Sequence, residues 1–296
     1  EQLKTVFGKD IPDERTGEAL EMSVIPGLES TDDDGVTLTA LIERYGSRLT
    51  GLPEGTEFPL LLKLLAAKGT LSVQVHPDDE YAKVHENKLG KTEAWVILHA
   101  EEGASLLYGI REGVTIDDLR RALTGGEDVE PLIQRVQVKA GDVFYMPAGM
   151  VHAIGGGILL YEIQQSSDVT YRLWDFNRVN AKGEKRPLHI QQSLDVIRPE
   201  LKGLRAHMPE HPAQEITRLL DVPAFTLDCV AADGACILPA AETFRVLTAL
   251  EPLTLRWLEG EMELKAGDTV LLPAACPEVG LEGHGRALVS GVGRNA

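Results

Sequence analysis

Apolar residues along most of this chain come in short runs cut by Gly and Pro, and only rarely at helical spacing. Strands are predicted at residues 59–66, 70–76, 93–99, 105–109, 142–146, 158–163, 225–230, 244–250, 253–257, 269–272 and 287–289. Many short strands with turn signals between them point to a sandwich, jelly roll or barrel. Helical spacing is confined to a few places. Residues 37–49 bring Leu38, Leu41, Ile42, Tyr45 and Leu49 to one face. Residues 115–123 (TIDDLRRAL) open on Thr115 and Asp118, a capping-box pair with Asp where Glu is usual. A third helix is predicted at 189–197.

One repeat orders these elements. Residues 139–147 read KAGDVFYMP and residues 265–273 read KAGDTVLLP, each a Gly-Asp turn, a buried strand and a proline. A repeat of this kind at a strand entrance indicates duplication. The expected fold is therefore mainly β, two jelly-roll β-barrels with a few inserted helices. The expected domains are 1–205 and 206–296, joined through the Pro- and charge-rich stretch 198–212.

Composition narrows the function classes. A chain of 296 residues, 43% hydrophobic, can bury a sizeable core. No apolar run is long enough to span a membrane, and residues 1–10 lack the order of a signal peptide. The net charge of −17 argues against a nucleic-acid or membrane surface. It still allows a small phosphorylated substrate, because one or two arginines in a pocket act locally once salt screens charges beyond roughly 8–10 Å. Cys229, Cys236 and Cys276 have no CxxC spacing and read as reduced thiols of a cytoplasmic protein.

The candidate chemistry lies between residues 70 and 172. In TLSVQVH (70–76), Gln74 and His76 share one face while Val73 and Val75 face the opposite layer. The stretch G-DVFYM-P-A-G-MV-H (141–152) has the spacing of the second cupin motif, which delivers His152 into a barrel after a Pro/Gly turn. Glu93 opens the next apolar strand and adds an oxygen donor to the two imidazoles. Two His and a carboxylate, with Gln74 as a weaker fourth ligand, suit zinc or another divalent first-row metal. Arg172 follows the strand bearing Glu162 and Gln164; its planar fork suits bidentate contact with phosphate or enediolate oxygens, and the bland alternative is a salt bridge to Asp168 or Asp175. Arg178, Lys185 and Arg186 read as solvated loop charges, and His85, His99, His189, His207, His211 and His284 sit in no motif.

The segments LLLKLLAAKGTLSVQVHPDDEYA, GKTEAW, GDVFYMPAGMVHAIGGG and YEIQQSSDVTYRLWDFNR together resemble the mannose-6-phosphate isomerase family, in its short bacterial class within the cupin superfamily. The resemblance implies zinc held by Gln74, His76, Glu93 and His152. One ion per chain is expected, because the second copy of the repeat puts Glu278 opposite His152 and has no histidine at 225–257. The resemblance also implies an active-site role for Arg172, and for Lys91 as a pocket lysine. Glu18 matches the family's GEsWE segment, here GEALE with Leu20 where the family has tryptophan. The implied reaction is aldose–ketose isomerisation of a small phosphorylated sugar through an enediol, with Glu18, Lys91 and His76 as candidates for the base. Two rivals remain open at this point: an Fe(II) oxygenase using the same ligands, and a sugar-phosphate-binding cupin without activity.

Overall fold

Short β-branched and apolar stretches bounded by Gly, Pro and Asp make strands that pair antiparallel, and they do so throughout this computed structural model. It describes residues 1–180, 182–209 and 215–294, the side chain of Glu215 excepted. His211 and the end of the expected linker lie outside the described residues. The chain opens with α1 (Gln2–Phe7), β1 (Glu18–Met22), α2 (Leu38–Tyr45), α3 (Ser47–Thr50) and β2 (Leu60–Ala67). Next come β3 (Val73–Val75), α4 (Asp79–His85), β4 (Glu93–Ala100), β5 (Ser105–Ile110), α5 (Ile116–Gly125), β6 (Ile133–Gln137) and β7 (Asp142–Met146). They are followed by β8 (His152–Ile154), β9 (Ile158–Gln165), β10 (Tyr171–Trp174), α6 (Ile190–Val196) and β11 (Leu204–His207). The C-terminal strands are β12 (Glu215–Asp221), β13 (Phe225–Leu238), β14 (Arg245–Ala249), β15 (Leu253–Trp257), β16 (Gly260–Leu264), β17 (Thr269–Leu272) and β18 (Val279–Val292). No described helix is long and apolar enough to cross a membrane.

The chain divides into two compact units, Ala66–Arg205 and a second made of Glu1–Leu65 with Ala206–Ala296. Thus the first 65 residues group with the C-terminal strands rather than with the central ones.

In the unit Ala66–Arg205, one sheet runs β10-β3-β8-β5-β6 and the other contains β9-β4-β7, all neighbours antiparallel. The two sides of the first sheet have different tasks. Val73, Val75, Leu107, Val151, Ala153, Tyr171 and Leu173 are buried in one cluster with Leu119, Ala122 and Leu123 of α5 and Leu194 and Val196 of α6. The alternating positions carry polar groups. Directly opposed pairs Arg172–Gln74, Gln74–His152 and His152–Tyr108 set these four residues in one row across β10, β3, β8 and β5. Opposed residues of an antiparallel pair share a face.

Local signals explain the helices. α5 has the expected capping box: the Thr115 hydroxyl accepts from the Asp118 N–H, and the Asp118 carboxylate accepts from the Thr115 N–H. The helix predicted at 37–49 is divided at Gly46 into α2 and α3. Helix α4 falls where only a turn was expected; the Asp78 carboxylate caps it by accepting from the Tyr81 N–H, with Asp79 and Glu80 in its first turn.

In the second unit, β13 and β18 pair along fourteen residues each, β18 also pairs with β14 and β15, and β14 pairs with β17. Val230, Leu247, Leu255, Leu281 and Val289 lie at the centre of its core.

Candidate metal centre

Three strands and a turn of the unit Ala66–Arg205 deliver the site. His76 follows β3, Glu93 begins β4 and His152 begins β8, each 1% exposed or less. Their ligand atoms all lie within 4.8 Å of one another. His152 Nε2 is 3.0 Å from one Glu93 carboxylate oxygen, and His76 Nε2 is 3.5 Å from the other. The rings of His76 and His152 are 5.0 Å apart. Gln74 Nε2 is 3.5 Å from His152 Nε2, so the amide borders the cluster without belonging to its core.

The tautomers follow from what each Nδ1 meets. That of His76 is 2.9 Å from the Val169 carbonyl and that of His152 is 2.9 Å from the Met150 carbonyl. A carbonyl can only accept, so each Nδ1 carries the proton and each Nε2 turns a lone pair toward Glu93. Both Glu93 oxygens are buried without a hydrogen-bond partner. Lys91 Nζ stands 2.7 Å from one of them, an ion pair by distance that lacks hydrogen-bond geometry, and is in hydrogen-bond contact with His76 Nε2 at 3.3 Å. Two imidazole lone pairs and a buried carboxylate whose oxygens lack hydrogen bonds converge here. The single Lys91 ammonium to one side does not bond them all, so a cation between them would lower the cost. The residues therefore fit a divalent metal.

The electrostatics agree. Burial holds His76 well below the usual imidazole range, and the Lys91 ammonium lowers it further, so the ring is neutral and ready to bind. Burial alone would raise the Glu93 carboxyl. The Lys91 ammonium is foremost among the opposing influences, and the carboxyl is held well below the usual carboxylate range.

Arg172 stands beside Gln74 in the polar row, half-buried. Its guanidinium donates to Ser72 Oγ (3.3 Å) and to the Pro187 carbonyl (3.0 Å). Neither anticipated carboxylate is its hydrogen-bonded partner: Asp168 pairs with Lys88, and the buried Asp175 is clamped by Arg178 and Arg186. Arg178 and Arg186 are exposed, as expected of loop charges, and they also clamp Asp175, because a buried carboxylate needs paired donors. Glu18 belongs to the other unit, on β1, half exposed and 3.9 Å from Lys63.

A family model described as the type I phosphomannose isomerase catalytic domain matches residues 1–102. Mannose-6-phosphate isomerase ManA of Bacillus subtilis is 40% identical over 295 residues, covering 96% of this chain and 92% of that protein. This chain belongs to the mannose-6-phosphate isomerase family. As a mannose-6-phosphate isomerase family member it is an enzyme of the isomerase class. The mannose-6-phosphate isomerase of Streptococcus mutans is 47% identical over 199 residues, 66% of this chain and 62% of that one. The crystal structure of the mannose 6-phosphate isomerase from Bacillus subtilis superimposes with a TM-score of 0.87 at 32% identity, covering 98% of this chain and 94% of that one. The family's cupin-type fold is the fold found here.

Within this isomerase-family site, several further residues contribute for which the sequence assigned no role, Asp79 and Trp95 inside the quoted motifs and His189 outside them. His189 brackets Arg172: its ring Nδ1 accepts from the Arg172 N–H (3.1 Å) and its own N–H donates to the Arg172 carbonyl (2.8 Å). Asp79 accepts from Gln165 Nε2 (3.0 Å) and from the Gly90 N–H (2.8 Å), tying the loop that carries Lys91 to the end of β9. Trp95 sets its edge against the His152 ring, 5.3 Å between centroids, and donates to Glu162 (2.8 Å). Only the pairing of an acidic residue with a capped helix start, at Asp78 and Asp79, was a sequence signal for any of these.

Proposed function

We propose that this chain interconverts mannose 6-phosphate and fructose 6-phosphate through an enediol, using one zinc ion held by His76, Glu93 and His152 with Gln74 as a further ligand. The observation that carries the metal assignment is the convergence of two imidazole lone pairs and a buried carboxylate whose oxygens accept no hydrogen bond. Family membership carries the substrate, since relatives along nearly the full chain are named for it. A bound divalent ion would polarise the sugar oxygens and lower the cost of the enediolate.

The protein's own groups divide the remaining work. Glu93 and the two histidines hold their lone pairs fixed by burial and by the carbonyls behind the rings. Lys91 neutralises part of the negative charge of Glu93 and, of the three candidate bases, is the one beside the ligands that is not itself a ligand. His76 as a ligand has no lone pair left for proton transfer, so it is not the base that moves the proton between C2 and C1. Arg172, with no carboxylate hydrogen-bonded to it, is available to bind phosphate or developing oxyanion charge through its fork.

The deciding measurement is wash-in of solvent deuterium at C2 of mannose 6-phosphate. Exchange together with formation of fructose 6-phosphate is expected. A metal-loaded protein that binds the sugar and exchanges nothing at C2 would be a binding protein on an isomerase scaffold.

A further inference from the structure

Gln164 lies on β9 directly opposite Glu93 of β4, so the two side chains share a face. It is fully buried. The strand reads ILLYEIQQ, and an apolar residue of the same size would occupy this position with no polar group to desolvate. The cost is visible in the structure, where Gln164 Oε1 is buried with no hydrogen-bond partner. What the amide contributes is its donors. Nε2 donates to the Ser167 carbonyl (2.6 Å) and to the Gln165 carbonyl (2.9 Å).

Those two carbonyls belong to a tight turn. The Ser167 N–H donates to the Gln165 carbonyl (2.7 Å), the Ser167 hydroxyl donates to the Leu89 carbonyl (2.7 Å), and the Val169 N–H donates to Ser167 Oγ (3.3 Å). The turn ends on Val169, whose carbonyl accepts the Nδ1 proton of His76. We infer that Gln164 is a positioning residue of the metal centre. Through the turn 165–169 it fixes the Val169 carbonyl, and so the His76 tautomer that leaves Nε2 free for an ion. Outer partners of a ligating histidine act in this way by fixing ring orientation and basicity. Gln164 does not touch Val169; it bonds the carbonyls of Gln165 and Ser167, and the turn that also holds the Val169 N–H carries its effect to the Val169 carbonyl. The inference rests on the reading of His76, Glu93 and His152 as ligands.

Gln164→Met keeps the volume and removes both donors. Zinc affinity, measured by competition with a chromophoric chelator, is expected to fall about tenfold, the lower end for loss of an outer partner. In the metal-free protein the His76 Nδ1 proton, followed by 15N NMR, is expected to exchange faster with water. A variant whose thermal midpoint drops while zinc affinity and the His76 proton stay as in the wild type overturns the proposal, because Gln164 then serves only the turn's stability. If Gln164→Met does not fold, Ser167→Ala loosens the same turn and is judged by the same two readouts. His152→Ala, run in parallel, isolates the ligand reading: full zinc affinity in that variant defeats the reading itself, whereas its loss beside an unchanged Gln164→Met defeats only the role of Gln164.

Discussion

Residues 139–152 and 265–278 start on the same geometry and end on different chemistry. The Lys139 N–H donates to the Asp142 carboxylate (2.9 Å), as the Lys265 N–H does to that of Asp268 (2.8 Å). Gly141 (φ 92) and Gly267 (φ 89) adopt the same positive-φ turn, and their N–H groups donate to the Ile97 and Ala249 carbonyls, both at 2.8 Å. After the strand, the Met150 N–H returns to the Pro147 carbonyl (3.1 Å) and the Cys276 N–H to that of Pro273 (2.9 Å). The backbone is therefore repeated through the turn after the proline, and only then do PAGMVH and PAACPE part. The first ends on buried His152; the second ends on exposed Glu278. Residues 225–257 carry no histidine, so nothing there corresponds to His76. Among the described residues, His76, Glu93 and His152 are the single group of His, Cys, Asp and Glu that converges. A strand-entry cassette is thus a neutral carrier, and its terminal residue and its neighbours decide whether it brings a metal.

Breaking the loaded cassette should have the largest effect. His152→Ala is expected to lose both metal and turnover with the fold retained by circular dichroism, while Glu278→Ala changes neither. Elemental analysis should return close to one equivalent of metal per chain. Two tightly held equivalents, one of them surviving His152→Ala, would mean that the C-terminal cassette is not silent. Arg172, in the polar row beside the loaded cassette, comes next. Arg172→Ala should keep its metal and lose at least about 100-fold in kcat/KM, roughly 2.7–4 kcal/mol for one charge-stabilising donor. Arg172→Lys should recover little of it, since a point charge does not reproduce the fork. Near-normal kinetics for the alanine variant would reduce Arg172 to a fastener of Pro187 and Ser72. The smallest effect on turnover is expected from the shared glycine. Alanine at a positive φ costs about 1–2 kcal/mol of stability, so Gly141→Ala should lower the urea midpoint at least that far. At Gly267 an added Cβ would also lie 2.6 Å from the Phe7 Cβ, so Gly267→Ala should cost more than backbone strain alone. A Gly267→Ala midpoint equal to wild type would show that the two turns are not equivalent.

Much of this comparison could be read from residues alone. The duplicated nonapeptide, the alternation of Gln74 and His76 with Val73 and Val75, and the Thr115–Asp118 capping box all correspond to observed contacts. What escaped has two physical causes. The first is that backbone carbonyls have no sequence code. The groups that orient His76, His152 and Arg172 are the carbonyls of Val169, Met150 and Pro187, and only folding reveals their places. For the same reason His189, which is tied to the backbone of Arg172, has no sequence signal. The second cause is that hydrophobic alternation fails where pairing is supplied by a neighbour. β13 and β18 extend well past their predicted ends through AADGAC and EGHG, small and polar segments that pair with each other residue for residue. Pro77 masked α4 in the opposite sense, because a His-Pro-Asp-Asp stretch reads as a turn although Asp78 caps a helix.

The row Arg172, Gln74, His152 and Tyr108 has a consequence for how this chain can change. Side chains in a strand alternate with a period of two, so a slip of one residue exchanges faces completely. Loss or gain of one residue within 71–75 would turn Val73 and Val75 toward His152 and drive Gln74 into the layer that α5 and α6 cover. Any single substitution there alters one side chain, whereas a change of length rewrites the whole face. The exposed turn at Glu101, Glu102 and Gly103 carries no such information, and extra residues there leave every row in step. Strand length in this unit is therefore constrained as strictly as residue identity, and variation in length has room in exposed turns between strands.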